Sequence, residues 1–299
     1  MILALGMILD ALLGEPKWLW SRLPHPAVLM GRAVATLDRQ LNKGSRRKIR
    51  GVIAMILLVS PALLIGLALH LLPYKVAEVL VLTILLAQRS LADHVSAVAD
   101  ALRLSLSDGK RSVAMIVGRD TSDMDQSDVA RSAIESAAEN LSDGVIAPIF
   151  WFFVAGLPGL LIYKFTNTAD SMIGYKTERH KDFGWAAARF DDLLNLIPAR
   201  MTAILIWLTQ PRSESVQPIR AEAPKHRSPN AGWPEAAAAY HLDVALSGPR
   251  TYEGRRVDYP FVNANGRRTL GPSDIDAAVR LLWSTWALCL LIVIAVSLF

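Results

Sequence analysis

Two stretches of this chain, Gly51 to Leu72 and Leu281 to Phe299, contain no lysine, arginine, aspartate or glutamate. A bilayer hydrocarbon core of about 30 Å takes roughly 20 apolar helical residues to cross, so each stretch is long enough to span it. Lipid offers the backbone no hydrogen-bonding partner, and each stretch is therefore predicted to be a transmembrane helix. Val145 to Tyr163 is equally uncharged but contains Pro148, Gly156, Pro158 and Gly159, a pattern that predicts a broken or re-entrant helix. Val76 to Gln88 and Leu193 to Leu208 are shorter or interrupted by Glu78, Pro198 and Arg200.

The polar remainder is too large for loops alone. Apolar residues make up 52% of the chain, yet 20% are charged, which argues for membrane spans mixed with polar helical segments. The expected fold is an all-α integral membrane protein: several transmembrane or re-entrant helices, cytoplasmic helical segments and a small irregular C-terminal region. Residues 1–299 are read as a single enzyme domain, with polar cytoplasmic segments at about 90–144 and 211–280. Lys43-Gly44-Ser45-Arg46-Arg47-Lys48-Ile49-Arg50 abuts the first span and reads as a positive-inside signal, not a nucleic-acid patch. Met1 to Leu13 lacks a basic leader and is interrupted by Asp10, so it is expected to stay on the mature protein. Cys289 is the single cysteine, which leaves no pair for a disulfide or a cysteine-based metal site.

Between the spans, Ser90 to Ser107 reads as a polar-faced helix stopped by Asp108-Gly109-Lys110. A second helix is expected from near Ser127 to Gly144 and a third from Glu235 to Leu246. Five prolines in 211–234 predict a loop, and Asn265-Gly266 suggests a small hairpin within Arg255 to Leu270. If 145–163 and 193–208 both cross, residues 164–192 lie across the membrane from 91–143; if both dip, the polar clusters share the cytoplasmic side.

Charge at membrane depth is costly and marks function by default. Three carboxylate-bearing clusters have helical spacing: Glu135 and Glu139 with Asn140 and Asp143; Asn167, Asp170 and Ser171; and Asp191, Asp192 and Asn195. Mg²⁺ takes hard oxygens, typically one or two carboxylates completed by phosphate and water, so the candidate metal ligands are Asp143, Asn167, Asp170, Asp191, Asp192 and Asn195. A solvated helix face or a salt bridge to Arg131, Arg189 or Arg200 is the bland alternative for any one cluster. Candidate catalytic groups are Glu135, Glu139 and Asp170. Arg32, Arg119, Lys164 and Arg189 are candidate clamps for phosphate or carboxylate, with Arg119 set in a short Gly-Arg-Asp-Thr loop. Asn230 lies in a basic loop opening a helix at Pro234, a place suited to anions. His25, in Pro24-His25-Pro26, is a ligand or an acid–base group, or equally a turn histidine satisfied by backbone. No P-loop, Rossmann fingerprint or nucleophile elbow is present.

In order along the chain, these segments resemble the CobD/CbiB family, the adenosylcobinamide-phosphate synthases of cobalamin biosynthesis. The resemblance rests on Leu9-Asp10 with Gly14-Glu15-Pro16, His25-Pro26 and Met30-Gly31-Arg32. It continues through Gly118-Arg119-Asp120-Thr121 with Glu135-Ser136, Glu139-Asn140 and Asp143-Gly144. Then come Tyr163-Lys164, Asn167-Thr168, Asp170-Ser171-Met172 and Gly174-Tyr175, followed by Ala188-Arg189, Asp191-Asp192, Asn195 and Pro198-Ala199-Arg200. Ser228-Pro229-Asn230 with Gly232 and Pro234-Glu235-Ala236 is the last. Ala169, where a larger apolar residue is usual, and Tyr240-His241 are mild departures. The resemblance implies an enzyme of the bacterial inner membrane that joins aminopropanol or its phosphate to a carboxylate of the corrinoid adenosylcobyric acid. It further implies ATP as co-substrate, use of Mg²⁺, a cytoplasmic active site, and other late cobalamin-pathway membrane enzymes as neighbours. Two other classes stay open: an intramembrane prenyltransferase-like enzyme, suggested by Asp191-Asp192-Leu193-Leu194-Asn195, and a non-catalytic membrane regulator. Because ATP is cytoplasmic, Val145–Tyr163 is expected to dip into the bilayer and return.

Overall fold

The computed structural model describes residues 1–209, 216–252 and 255–298. In chain order its helices are α1 (Ile2–Leu13), α2 (Lys17–Trp20), α3 (Pro26–Leu41), α4 (Arg47–His70), α5 (Val76–Leu85), α6 (Gln88–Leu104), α7 (Leu106–Val113), α8 (Gln126–Asn140), α9 (Ala147–Ile173), α10 (Trp185–Leu194), α11 (Leu196–Thr209), α12 (Gln217–Glu222), α13 (Gly232–Leu242) and α14 (Pro272–Val296). Among the described residues the strands are four short ones: β1 (Leu246–Ser247), β2 (Arg250–Tyr252), β3 (Arg255–Val257) and β4 (Phe261–Val262). Arg47–His70, the run Gln126–Ile173 and Pro272–Val296 are each long and apolar enough to cross a membrane. A fourth joins them if α10 and α11 are counted as one broken span. This is the expected all-α membrane protein.

The chain divides into two compact units, Met1–Ala87 with Ala147–Leu196, and Gln88–Ile146 with Ile197–Phe299. In the first unit α4 packs along α9, α3 packs on both, and α1 packs on α5. Val34, Ala54, Met55, Leu58, Ala169, Ile173, Phe183 and Ala187 form its main apolar core. α9 is broken where the sequence predicts: Ala155 leaves the helical region, and Gly156 takes φ 60° and ψ −153°, a conformation that essentially only glycine adopts. Gly66 of α4 lies directly against the backbone of Leu157 and Pro158, just past this break. A β-carbon on Gly66 would stand 2.5 Å from Pro158 Cα, so the two backbones touch with no side chain between them.

In the second unit α6, α8 and α14 pack together and α13 packs on α8. β1 and β4 pair antiparallel, Leu246 opposite Val262, and β2 pairs with β3, Arg250 opposite Val257. α8 starts at a reciprocal cap: Asp125 Oδ1 accepts from Asp128 N at 2.8 Å, and Asp128 Oδ2 accepts from Asp125 N. It runs through one π-helical turn, Leu141–Ile146, into α9.

Several boundaries differ from expectation. The helix expected to stop at Asp108 ends at Leu104, because the Ser105 hydroxyl accepts from Asp108 N and caps a new helix in which Asp108 and Gly109 are interior. Much of 217–225, expected as loop, is helical, since Pro218 and Pro224 occupy first-turn positions where a missing N–H costs nothing; residues 211–215 of that stretch lie outside the described residues. The hairpin is β2–β3, N-terminal to Asn265-Gly266, which forms a turn after β4. α13 opens at Gly232 and closes at Leu242, earlier than expected.

A buried carboxylate centre and a charged cavity

α10 lies on α9, with Trp151, Phe190 and Leu194 sealing the contact around Tyr163. The Trp151 indole donates to Leu194 O at 3.0 Å and satisfies a carbonyl at the end of α10. Within this apolar seal sits a polar chain. Tyr163 donates through its hydroxyl to Asn195 Oδ1 at 3.0 Å, and Asn195 Nδ2 donates to Asp191 Oδ2 at 2.9 Å. Asn167 Nδ2 reaches Asp191 Oδ1 at 3.3 Å. Tyr163, Asn195 and Asp191 are all buried, and the charge of Asp170 acts on Asp191. The second and third sequence clusters are thus brought together in one unit.

Their members do different jobs. Asn195 gives its carbonyl to Tyr163 and its amide to Asp191, so it aims the carboxylate without presenting an oxygen of its own. Each Asp191 oxygen accepts one amide N–H and keeps a further lone pair. Asp192 points elsewhere and pairs with Arg189 Nη1 at 3.0 Å, one turn away. Lys164 is half-buried and Arg32 is exposed on α3.

The first sequence cluster belongs to the second unit. Glu135 is buried; its Oε2 takes Arg119 Nη2 at 2.5 Å and its Oε1 takes Ser247 N at 2.7 Å. Arg119, read as an anion clamp, is therefore engaged by a carboxylate through one of its five N–H donors. Glu139 and Asn140 are exposed and Asp143 is half-buried in the π turn. Asn230 is buried and accepts from Arg200 Nη1 at 3.3 Å, while the Arg200 guanidinium lies 4.8 Å from the Trp233 ring centre. Beside Arg119 opens a cavity of about 70 Å³ whose lining includes Asp120, Asp123, Asp128, Arg131 and Ser247.

Two polar centres lack a role in the sequence reading. One is Tyr163, the donor that fixes Asn195. The other is Asp38, where burial raises the carboxyl but hydrogen bonds from Arg179 and Asn42, with the charges of Arg179 and His180, outweigh it and hold it below the usual carboxylate range. At His25, Nδ1 accepts from Ala27 N and so caps α3. Among the described residues no group of three or more histidine, cysteine, aspartate or glutamate side chains is arranged to hold a metal.

The helices and their buried carboxylates define an integral membrane protein with a polar centre maintained inside an apolar seal. A protein-family model described as "CobD/Cbib protein" matches residues 3–282. The chain belongs to that family, and its role lies in cobalamin biosynthesis. It is 48% identical to "Cobalamin biosynthesis protein CobD" of Brucella anthropi, over 99% of this chain and 96% of that one. It is 47% identical to the protein of the same name from Rhizobium meliloti, over 95% and 92%. The Rhodobacter capsulatus protein is 48% identical over 88% and 86%. No solved structure matches the chain.

Proposed function

We propose that the chain forms the amide bond between an amino alcohol, or its phosphate, and a carboxylate of the corrinoid adenosylcobyric acid, at the expense of ATP. The observation that carries this reading is the buried Asp191, aimed by Asn167 and Asn195 and close to Asp170. A carboxylate does not condense with an amine unaided. Transfer of a phosphoryl group from ATP to the corrinoid carboxylate makes an acyl phosphate. The amine nitrogen then attacks the acyl carbon, phosphate leaves with the C–O bond electrons, and the nitrogen gives up a proton.

The donor set suits Mg²⁺ bound together with phosphate: two neighbouring carboxylates, with lone pairs left on Asp191, match the one or two that the ion takes in such sites. Asp170 and Asp191 would hold it, and when bound it would neutralise charge on the transferring phosphoryl group. Asn167 and Asn195 keep Asp191 in one orientation, and the apolar seal of Trp151, Phe190 and Leu194 excludes water that would hydrolyse an activated acyl group. ATP is cytoplasmic, so we place the reaction on the cytoplasmic side of the inner membrane.

The test is incubation of membranes containing the protein with adenosylcobyric acid, ATP, Mg²⁺ and aminopropanol or its phosphate, with the corrinoid product identified by mass. Appearance of the amide, its loss on chelation and its return with Mg²⁺ are expected. Corrinoid recovered unchanged under every combination would refute the assignment.

A further inference from the structure

The segment between α9 and α10 is pinned to the corner between α3 and α4. Asp38 of α3 holds Arg179 Nη2 at 2.6 Å, and His180 Nε2 lies 3.5 Å from the same carboxylate. Asn42 Nδ2 donates to Arg179 O at 3.1 Å and to Asp38 Oδ1 at 2.8 Å. Phe183 is buried in the apolar core, and a β-carbon on Gly51 of α4 would stand 1.9 Å from its carbonyl oxygen. Trp185, the first residue of α10, thereby meets Lys48, whose Nζ is 4.0 Å from the ring centre. This segment and the start of α4 are one preformed surface.

Its charge is one-sided. Lys43, Arg46, Arg47, Lys48 and Arg50 fall within eight residues, and among the described residues none of them forms an ion pair. Arg50 donates to Lys43 O and Lys48 lies on Trp185, which leaves the heads of Lys43, Arg46 and Arg47 unmatched among the described residues. The pinned segment adds little net charge: Lys176, Arg179 and Lys181 stand against Glu178 and Asp182, with Arg179 taken by Asp38. Ile49, Val52, Ile53 and Ile56 of α4 are exposed just past the cations, and Trp185 is exposed as well. On a helix long and apolar enough to cross a membrane, an exposed apolar flank faces lipid, and basic and aromatic residues at its end lie at headgroup level.

A topology signal alone needs only the positive charges, without an aromatic partner or a pinned neighbour. A soluble phosphate would gain nothing from Trp185 and Ile49, and a neutral lipid would gain little from the unmatched cations. A lipid with a net negative headgroup satisfies both. We propose that the start of α4 and the pinned segment form a docking surface for anionic phospholipid, with phosphate on Arg46 and Arg47 and with Trp185 in the headgroup layer.

The full chain is reconstituted in phosphatidylcholine vesicles carrying a minor share of lipid brominated near the headgroup, either phosphatidylglycerol or phosphatidylcholine. Bromine quenches nearby tryptophan, and subtracting the Trp185→Phe protein isolates the part due to Trp185. Quenching of Trp185 should report brominated phosphatidylglycerol enriched at least roughly fivefold over brominated phosphatidylcholine, the effect of one juxtamembrane cation. Arg46→Gln with Arg47→Gln should lower that enrichment by a similar factor or more, while Arg46→Lys with Arg47→Lys should keep it. Equal quenching by the two lipids, no quenching of Trp185 by either, or an enrichment that survives both glutamines would overturn the proposal. Inorganic phosphate that abolishes the enrichment, where chloride of the same ionic strength does not, would also overturn it, in favour of a soluble phosphate.

Discussion

Tyr163→Phe isolates the contribution of one hydroxyl to the buried centre. The Tyr163 side chain is wholly buried and its hydroxyl is the only donor to Asn195 Oδ1 among the described residues. Phenylalanine fills the same space, so no cavity opens, and the loss is confined to the bond and the orphaned acceptor. Leaving a buried acceptor unsatisfied costs about 1–3 kcal/mol. Hydrogen bonds between helices in membranes average nearer ~0.6 kcal/mol. The apolar seal argues for a value between these, about 1–2 kcal/mol, or roughly 2–8 °C in Tm at the 2–4 °C per kcal/mol of a chain this large. Thermal unfolding in detergent, followed by tryptophan fluorescence, reads the shift. In an Asn195→Ala background the same change should cost less, because this bond is already gone. Equal losses in both backgrounds, or a Tyr163→Phe protein as stable as the parent, would refute the chain Tyr163–Asn195–Asp191 as a coupled unit.

Three further outcomes are expected. Asp38 has a depressed carboxyl, so the stability it contributes is fully present above the unfolded value of about 3.9 and is lost as pH falls through the lower folded value. Asp38→Asn should therefore melt below the parent at pH 7, and the gap should close in acid. Gly156→Ala forces a β-carbon onto a backbone at φ 60° and should cost on the order of 1–3 kcal/mol, read as a lower Tm. A cysteine at the exposed Lys181, introduced against the buried Cys289, should react with an impermeant maleimide in inverted vesicles but not in intact cells. Labelling only in intact cells would place 164–192 outside and refute a dipping Val145–Tyr163.

The parts legible in sequence were those governed by local composition. α4 and α14 follow from the absence of charge, and the break in α9 from Gly156 and Pro158 in an apolar run. The split between α6 and α7 was also written locally, as Ser105 three residues before Asp108, a capping pattern hidden by a continuing polar face. Prolines in 217–225 misled because their effect depends on helix position, which composition does not report. The helical spacing within each cluster was legible, but the partners were not: Arg119 with Glu135, Arg179 with Asp38, and Tyr163 with Asn195 are all distant in sequence. Tyr163 sits at the end of an uncharged stretch, where a tyrosine is indistinguishable from core.

Gly66 touches the backbone of Pro158 with nothing between. Three positions on two helices therefore inherit change as a block: 66 must stay bare, 156 must reach a conformation closed to other residues, and 158 must keep its place in the chain. In a library randomised at all three, single replacements should be rare among functional clones, and survivors that lose Gly66 should carry compensating changes at 156 or 158. The neighbouring exposed Leu64 and Leu67 should meanwhile drift independently among apolar residues.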